Sequence, residues 1–417
     1  MAVLGIVAEY NPFHNGHLHL INEAQNKGRF SAVVCVMSGN YVQRGEPAIC
    51  DKWARAEMAL KSGADLIIEL PFCFSVRSAY YFALGALRLL QRSAIITHLA
   101  FGVEYENWQV LNYIAKLLVN EPGPFSRLIK ENLARGISFP QARAWALQQY
   151  LGAISADLQD ILNGSNNILA IEYLRVIEEE SMPFTPVLIK RKGSLYHDTN
   201  LSHYASATAI RHHLMSQESL YHLNDSMPGP SLNLLEREIK KGRCPVTLDA
   251  LESVILYRLR SFSHKQLRAI YEISEGLEYR FKEASNYSGN LDQLIKAVKS
   301  KRYSLTRIKR TLLYILFNLT KEKILCFDQH GPLYLHILGF SSQGKKILQE
   351  IKNKSELPIF SRGKDMKKAR DENPGTVLSD MIDLEVLADD IYTLLYPEPS
   401  ERKAGKDFTT SPIIVNH

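Results

Sequence analysis

VLGIVAEYNPFHNGHLHL, residues 3–20, opens on the apolar run Val3, Leu4, Ile6, Val7 and Ala8. The run is too short for a helix and rich in β-branched side chains, so it reads as a central strand of a parallel sheet, buried on both faces. Asn11-Pro12 breaks it. Proline fixes its own φ and moves the residue before it out of the helical region, so a new helix begins near His14 or Asn15. The strand therefore feeds a helix N-terminus, where unpaired amides and the positive end of the helix dipole make an anion site. His14 and His17 set two imidazoles there, and Gly16 between them leaves room for a base or a phosphate to approach. The reading is a phosphate-binding corner; its bland alternative is a pair of solvated histidines in a capping turn.

Outward from this corner, strands and helices alternate. Ser31–Met37 reads as a second strand, Asp51–Ser62 as a helix stopped by Gly63, Ala64–Leu70 as a third strand, residues 75–92 as a helix and Ile95–Phe101 as a fourth strand. Helical residues 108–150 and the helix Ile168–Glu180 precede a fifth strand, Val187–Ile189. The alternation predicts a Rossmann-like, doubly wound parallel α/β sheet. Ligands of such sheets bind beyond the carboxyl ends of the strands, which puts the loop from Ser38 to Pro47, with Gln43 and Arg44 at its tip, beside the histidines. Arg44 is equally well a ligand contact or a solvated cation. Gly102 ends the fourth strand, and Asn166 and Asn167 sit at a helix start where capping accounts for one of them. Arg191, between Lys190 and Lys192, leaves the fifth strand over the same crevice. Ser206-Ala207-Thr208-Ala209-Ile210-Arg211 offers two hydroxyls and a helix start to a phosphate, with Arg211 returning over it.

The chain of 417 residues is 46% hydrophobic and 23% charged, an ordinary globular composition with room for two or three domains. No apolar run reaches membrane-span length, and the first residues lack a signal-peptide pattern, so the expected location is cytoplasmic. The five cysteines are scattered singly, which suggests neither a zinc site nor a disulfide framework. No resident metal is expected, and magnesium would arrive on the nucleotide's phosphates. Residues 226–417 hold 31 Lys and Arg against 24 Asp and Glu, whereas residues 1–225 are near neutral. After the Pro- and Gly-rich stretch 224–231, helical periodicity dominates. The expected division is a catalytic domain 1–225, a basic helical domain 226–397 and a disordered tail 398–417. Lys301, Arg302, Arg307, Lys309 and Arg310 form a run without an acid, with Tyr303 available to stack on a base; a solvated helix face is the alternative. Arg362, Lys364, Lys367, Lys368 and Arg370 make a second basic cluster.

His14-Asn15-Gly16-His17 resembles the HxGH signature of the nucleotidylyltransferase superfamily. GIVAEYNPFHNGH, SGNYVQRGEPAICDKWARAEMAL and SNNILAIEYL together resemble the bacterial tRNA(Met) cytidine acetate ligases. SATAIR is similar to the superfamily's ISSTxIR, with Ala207 in place of a serine, a departure that agrees with the ligases. The resemblance implies ATP as co-substrate, acetate as the acid and elongator tRNA(Met) as acceptor: acetyl-adenylate forms, and its acetyl group passes to the wobble cytidine, giving N(4)-acetylcytidine. It implies catalytic roles for His14, His17 and Arg211. ATP contacts are implied for Val7, Ala8, Glu9, Tyr10, Asn11, Pro12, Gly16, Gly102, Asn166, Asn167, Arg191, Ser206 and Thr208. Arg44 and the 301–310 cations are assigned to the substrates. A histidine beside phosphates can be held protonated near neutral pH. Two other classes share these motifs, a small-molecule adenylyltransferase and a non-catalytic RNA-binding protein.

Overall fold

The computed structural model describes residues 2–152, 158–193, 201–216 and 219–416. β1 (Val3–Ala8) lies at the centre of an open sheet, parallel to β2 (Ala32–Ser38) on one side and to β6 (His98–Val103) on the other. After β2 the chain makes a small antiparallel ribbon, β3 (Tyr41–Val42) and β4 (Glu46–Pro47). β5 (Leu66–Leu70) pairs with β2 and β7 (Thr185–Lys190) with β6, both parallel. The sheet is buried on both faces, which is why its strands read as unbroken apolar runs. Helix α1 (Asn15–Lys27) and helix α2 (Lys52–Leu60) cover one face with Ile21, Ala24, Met58 and Ala59. The helices Ala79–Arg92 and Ser165–Glu179 cover the other with Phe82, Leu87, Ala170 and Leu174.

Residues 226–397 are mainly helical, yet they do not stand apart from the sheet. β8 (Leu335–Ser341) runs antiparallel to β5, β9 (Ile359–Phe360) pairs with β8, and with β10 (Ile413–Val415) the order across the sheet is β10-β8-β5-β2-β1-β6-β7. The tail expected to be disordered is ordered instead. It forms the helical turn Lys406–Thr409 and β10 (Ile413–Val415), parallel to β8.

A buried ion cluster explains the tail. Lys52, fully buried at the start of α2, places its Nζ 2.9 Å from Glu69 Oε1 and 2.5 Å from Asp407 Oδ1. His336 of β8 donates through Nδ1 to Glu69 Oε2 at 2.6 Å, or accepts from it. Asp389, bonded to Asn40, lies 3.9 Å from the same ammonium. An unpaired charge at zero exposure is prohibitively costly, so the tail that brings Asp407 is fixed in place. Glu69, His336 and Asp407 also have the spacing of a metal-ligand group, but the cation at their centre is the Lys52 ammonium.

Candidate active site

The carboxyl ends of β1, β2, β6 and β7 open into a crevice of about 360 Å³. It lies where the neighbours of β1 diverge, the switch point at which doubly wound sheets bind ligands. Tyr10 turns into the left-handed region at φ 47°, and the Asn11-Pro12 bond is cis. Arg55, fully buried, holds this turn: its guanidinium donates to the carbonyls of Glu9 at 2.7 Å and Ser38 at 3.1 Å, and also to that of Gly39. Asn11 is spent on the scaffold as well, its Oδ1 accepting from Ile49 N at 2.7 Å.

His14 is the N-cap of α1, its Nδ1 accepting from Gly16 N at 3.0 Å, and His17 Nδ1 accepts from His14 N at 3.2 Å in return. The two rings stack at 3.8 Å and line the crevice. Gly16 is required by this arrangement more than by a ligand, since a Cβ there would sit 2.7 Å from the His14 ring. With both Nδ1 atoms accepting, the neutral imidazoles carry their protons on Nε2. Burial, then the cations Arg191 and Arg211, push the His14 pKa down to about 3; burial, His14 and Arg191 push His17 well below its usual value. In the free protein, with no phosphate beside them, burial and the neighbouring cations keep both histidines uncharged. Both rings are neutral Nε2–H donors at neutral pH.

A stability consequence follows from these directions. Between pH 6.5 and about 3 the unfolded chain binds a proton on His14 that the folded chain refuses, so stability falls as pH drops through that window. Replacing His14 with Gln should flatten the pH dependence of the melting temperature between pH 6.5 and 4; an unchanged slope would show that His14 is not held neutral.

Arg211 donates from Nη1 to Asn11 O at 2.8 Å and from Nη2 to Thr208 Oγ1 at 3.3 Å, so Thr208 orients the arginine. Ser206 caps its helix through Ala209 N and lines the crevice with Ala207. Gly102 makes space for the Arg191 stem, whose Cγ lies 3.2 Å from where a Cβ would stand. Arg191 Nη1 in turn donates to Asn166 Oδ1 at 3.2 Å. The two asparagines divide their work. Asn166 lines the crevice, whereas Asn167 is fully buried and accepts from the amides of Glu104 and Tyr105. Glu104, which sequence reading missed, accepts from Asn166 N, Asn166 Nδ2 and Asn167 N. An acid at a helix N-terminus was the available signal.

Glu9 is the sole carboxylate among the described lining residues; burial raises its pKa, opposed by Arg44, by the Gln43 amide at 2.9 Å and by Arg211. Val7, Ala8, Tyr10, Asn11 and Arg44 also line the crevice; Pro12, Gly16, Thr208 and Arg211 are not among its lining residues.

The 301–310 run is dispersed by the fold. Arg310, with Thr306, lines the crevice. Lys309 is paired with Glu46 and Arg302 with Glu275 at 3.8 Å, while Arg307 donates to Glu272 O and Ser274 Oγ. Lys301 is exposed. Tyr303 is buried with its hydroxyl on Glu275 O, which corrects its expected stacking role. Tyr257 and Tyr287, 67% and 86% exposed, are the most outward aromatics of this helical region, near Arg260 and Arg280, and Tyr279 is exposed as well. In the second cluster Arg362 pairs with Asp365, Lys368 with Glu372 and Arg370 with Asp371; Lys364 and Lys367 are exposed. Among the described residues no helix is long and apolar enough to cross a membrane.

A model of the HIGH Nucleotidyl Transferase family matches residues 1–407. The chain is 58% identical to the tRNA(Met) cytidine acetate ligase of Syntrophomonas wolfei over 99% of both chains, and 42% identical to that of Halothermothrix orenii over 100% of both. It also matches the crystal structure of apo Thermotoga maritima TmcAL with a TM-score of 0.94 at 35% identity, covering 100% of both chains. A second structure of that protein, bound with alpha-thio ATP, matches with a TM-score of 0.92.

Proposed function

The chain belongs to the tRNA(Met) cytidine acetate ligases, within the HIGH nucleotidyl transferases, and from that membership we propose how its crevice carries out the reaction. The reading is of an ATP-dependent ligase acting on acetate and elongator tRNA(Met) in the cytoplasm. An acetate oxygen attacks the α-phosphorus of ATP, the bond to the β-phosphate oxygen breaks, and pyrophosphate leaves with the electron pair. The exocyclic amine of the wobble cytidine then attacks the acetyl carbon; AMP departs and the amine loses a proton. The single observation that carries this reading is the crevice at the switch point. There His14, His17 and Arg191 line the crevice around a helix N-terminus, with one carboxylate among the lining residues, and Arg211 is bonded to the carbonyl of the lining residue Asn11.

Such a set favours the developing charge on phosphoryl oxygens through fixed donors. Glu9 already engages the Gln43 amide and neighbours Arg44 and Arg211, so the described lining of the crevice offers no carboxylate cage for magnesium. The ion would be held by the phosphates and water, where it supplies further charge neutralisation. Asn166 and Gly102 are assigned to the nucleoside side. For the tRNA, exposed Lys301, Lys364 and Lys367 with Tyr257 and Tyr287 supply phosphate contacts and stacking surface. Membership in the ligase family leaves the small-molecule adenylyltransferase and the non-catalytic RNA-binding protein without support.

ATP–pyrophosphate exchange tests the reading. It should require acetate and proceed without RNA, because the first half-reaction is complete before the amine acts. Adding the tRNA and labelled acetate should place one acetyl group on the wobble cytidine, and a transcript with uridine there should stay unlabelled. Exchange independent of acetate, or label delivered only from acetyl-CoA, would overturn it.

A further inference from the structure

The crevice straddles β1, and its two sides carry different chemistry. Toward β6 and β7 stand Gly102, Asn166 and Arg191, the residues assigned above to the nucleotide. Toward β2 stand Gln43 and Arg44 from the β3–β4 ribbon, joined by Thr306 and Arg310 from the helix Leu305–Leu316. The helix and the ribbon form one wall. Gly45 adopts φ 81°, and a Cβ there would lie 2.3 Å from Arg310 N; the adjacent Lys309 is paired with Glu46. Arg310 is 7% exposed. Glu272 holds its Nη2 at 3.1 and 3.3 Å, while the buried Nε has no hydrogen-bond partner. A buried guanidinium with an unsatisfied N–H in a cavity wall calls for a small acceptor.

We propose that the β2 side of the crevice is the pocket for the carboxylic acid, with Arg310 as its anchor. The carboxylate accepts from the Arg310 guanidinium beside Thr306, and its short alkyl group faces Ala79 and Phe82, which line the same crevice. This rests on the ligase reading. It also reassigns Arg310 from the tRNA to the acid: a residue so buried, inside the crevice, is out of reach of a tRNA backbone but well placed for a two-carbon anion. The guanidinium keeps the acid desolvated and oriented toward the α-phosphate, so the pocket supplies proximity at the first chemical step.

The test is the exchange reaction with acetate and ATP varied separately. Removing Arg310 alone would strand the Glu272 carboxylate, so Arg310→Gln is made together with Glu272→Gln, and Thr306→Val provides a second, milder variant. The double variant should raise KM for acetate about tenfold or more, the scale of one charge-assisted hydrogen bond, with KM for ATP within about twofold. Thr306→Val should raise the acetate KM by about twofold to fivefold. A rise in the ATP KM with unchanged acetate KM would give Arg310 to the nucleotide. A rise confined to the tRNA KM would give it to the acceptor. Either result overturns the proposal, as does exchange that stays absent at saturating acetate while ATP binds normally. Wild-type exchange independent of acetate would instead sink the ligase reading itself.

Discussion

His17→Ala should lower adenylate formation by about 10²-fold or more, the cost of losing one preorganised donor at a developing oxyanion, while ATP should bind within a few-fold of normal. His17 Nδ1 is occupied by the His14 amide, so Nε2–H is the donor left for the crevice. The ring is neutral because it is buried beside His14 and Arg191. A neutral donor adds little to ground-state attraction for a triphosphate that, on the proposed reading, Arg191 and Arg211 would hold electrostatically. Its contribution grows as charge builds on the α-phosphoryl oxygens, which is the condition for acting on rate more than on affinity. Single-turnover adenylate formation and calorimetric ATP binding separate the two. An unchanged rate would remove His17 from the chemistry, and a large loss of affinity with a normal rate would make it a binding residue. His17→Asn, which keeps an N–H on a shorter side chain, should recover part of the rate.

Legibility in the sequence followed distance along the chain. β1, β2, β5, β6 and β7 are visible because strands buried on both faces are short apolar runs, and the turn into α1 is visible because Asn11-Pro12 interrupts one of them. The crevice residues His14, His17 and Arg191 lie just past the ends of those runs. What the sequence hid depends on partners far away. β8 and β10 are too short and too late to announce that they join a sheet begun at Val3, and β10 has three residues. Lys52 looks like any charged helix start until the fold surrounds it with Glu69, Asp389 and Asp407. Arg310 looks like one of five equivalent cations until helix periodicity turns it inward; that face of the helix continues through the buried Leu313 and Tyr314, and the sequence alone does not say what it covers. Tyr303 failed as a stacking platform for the same reason. Its ring closes the helical core, and the exposed aromatics of this region are Tyr257, Tyr279 and Tyr287.

Lys52→Met should destabilise the fold by about 3–5 kcal/mol, the usual cost of removing one partner from a buried ion pair. That is a large share of the roughly 5–15 kcal/mol that holds an ordinary domain together. The ammonium is the counter-ion of Glu69 and Asp407 and lies close to Asp389, and Glu385 adds its field. Methionine fills most of the same volume, so a cavity contributes little and the loss is electrostatic. Burial raises the pKa of Glu385, Asp389 and Asp407, and neighbouring carboxylates add to it, so the cluster already tends to keep protons. Glu69, despite burial, is held down at about 2 by Lys52 and His336. Its sign is then clear: in the native protein the Glu69 contribution is present above pH 4.5 and is lost as pH falls toward 2. Without the ammonium the folded-state pKa of Glu69 rises toward or above that of the unfolded chain, so protonation ceases to oppose folding. The stability gap between Lys52→Met and the native chain should therefore be widest near pH 7 and narrow as pH falls to 4, whereas a packing defect would give a gap independent of pH. Denaturant titrations at pH 7, 5.5 and 4 distinguish them. Asp407→Asn is the counterpart: it keeps the tail's polar contact, relieves crowding among the acids and should cost about 1–3 kcal/mol, the scale of a hydrogen bond to a charged group. A loss as large as that of Lys52→Met would show that the tail, rather than the charge balance around Lys52, is what the cluster depends on.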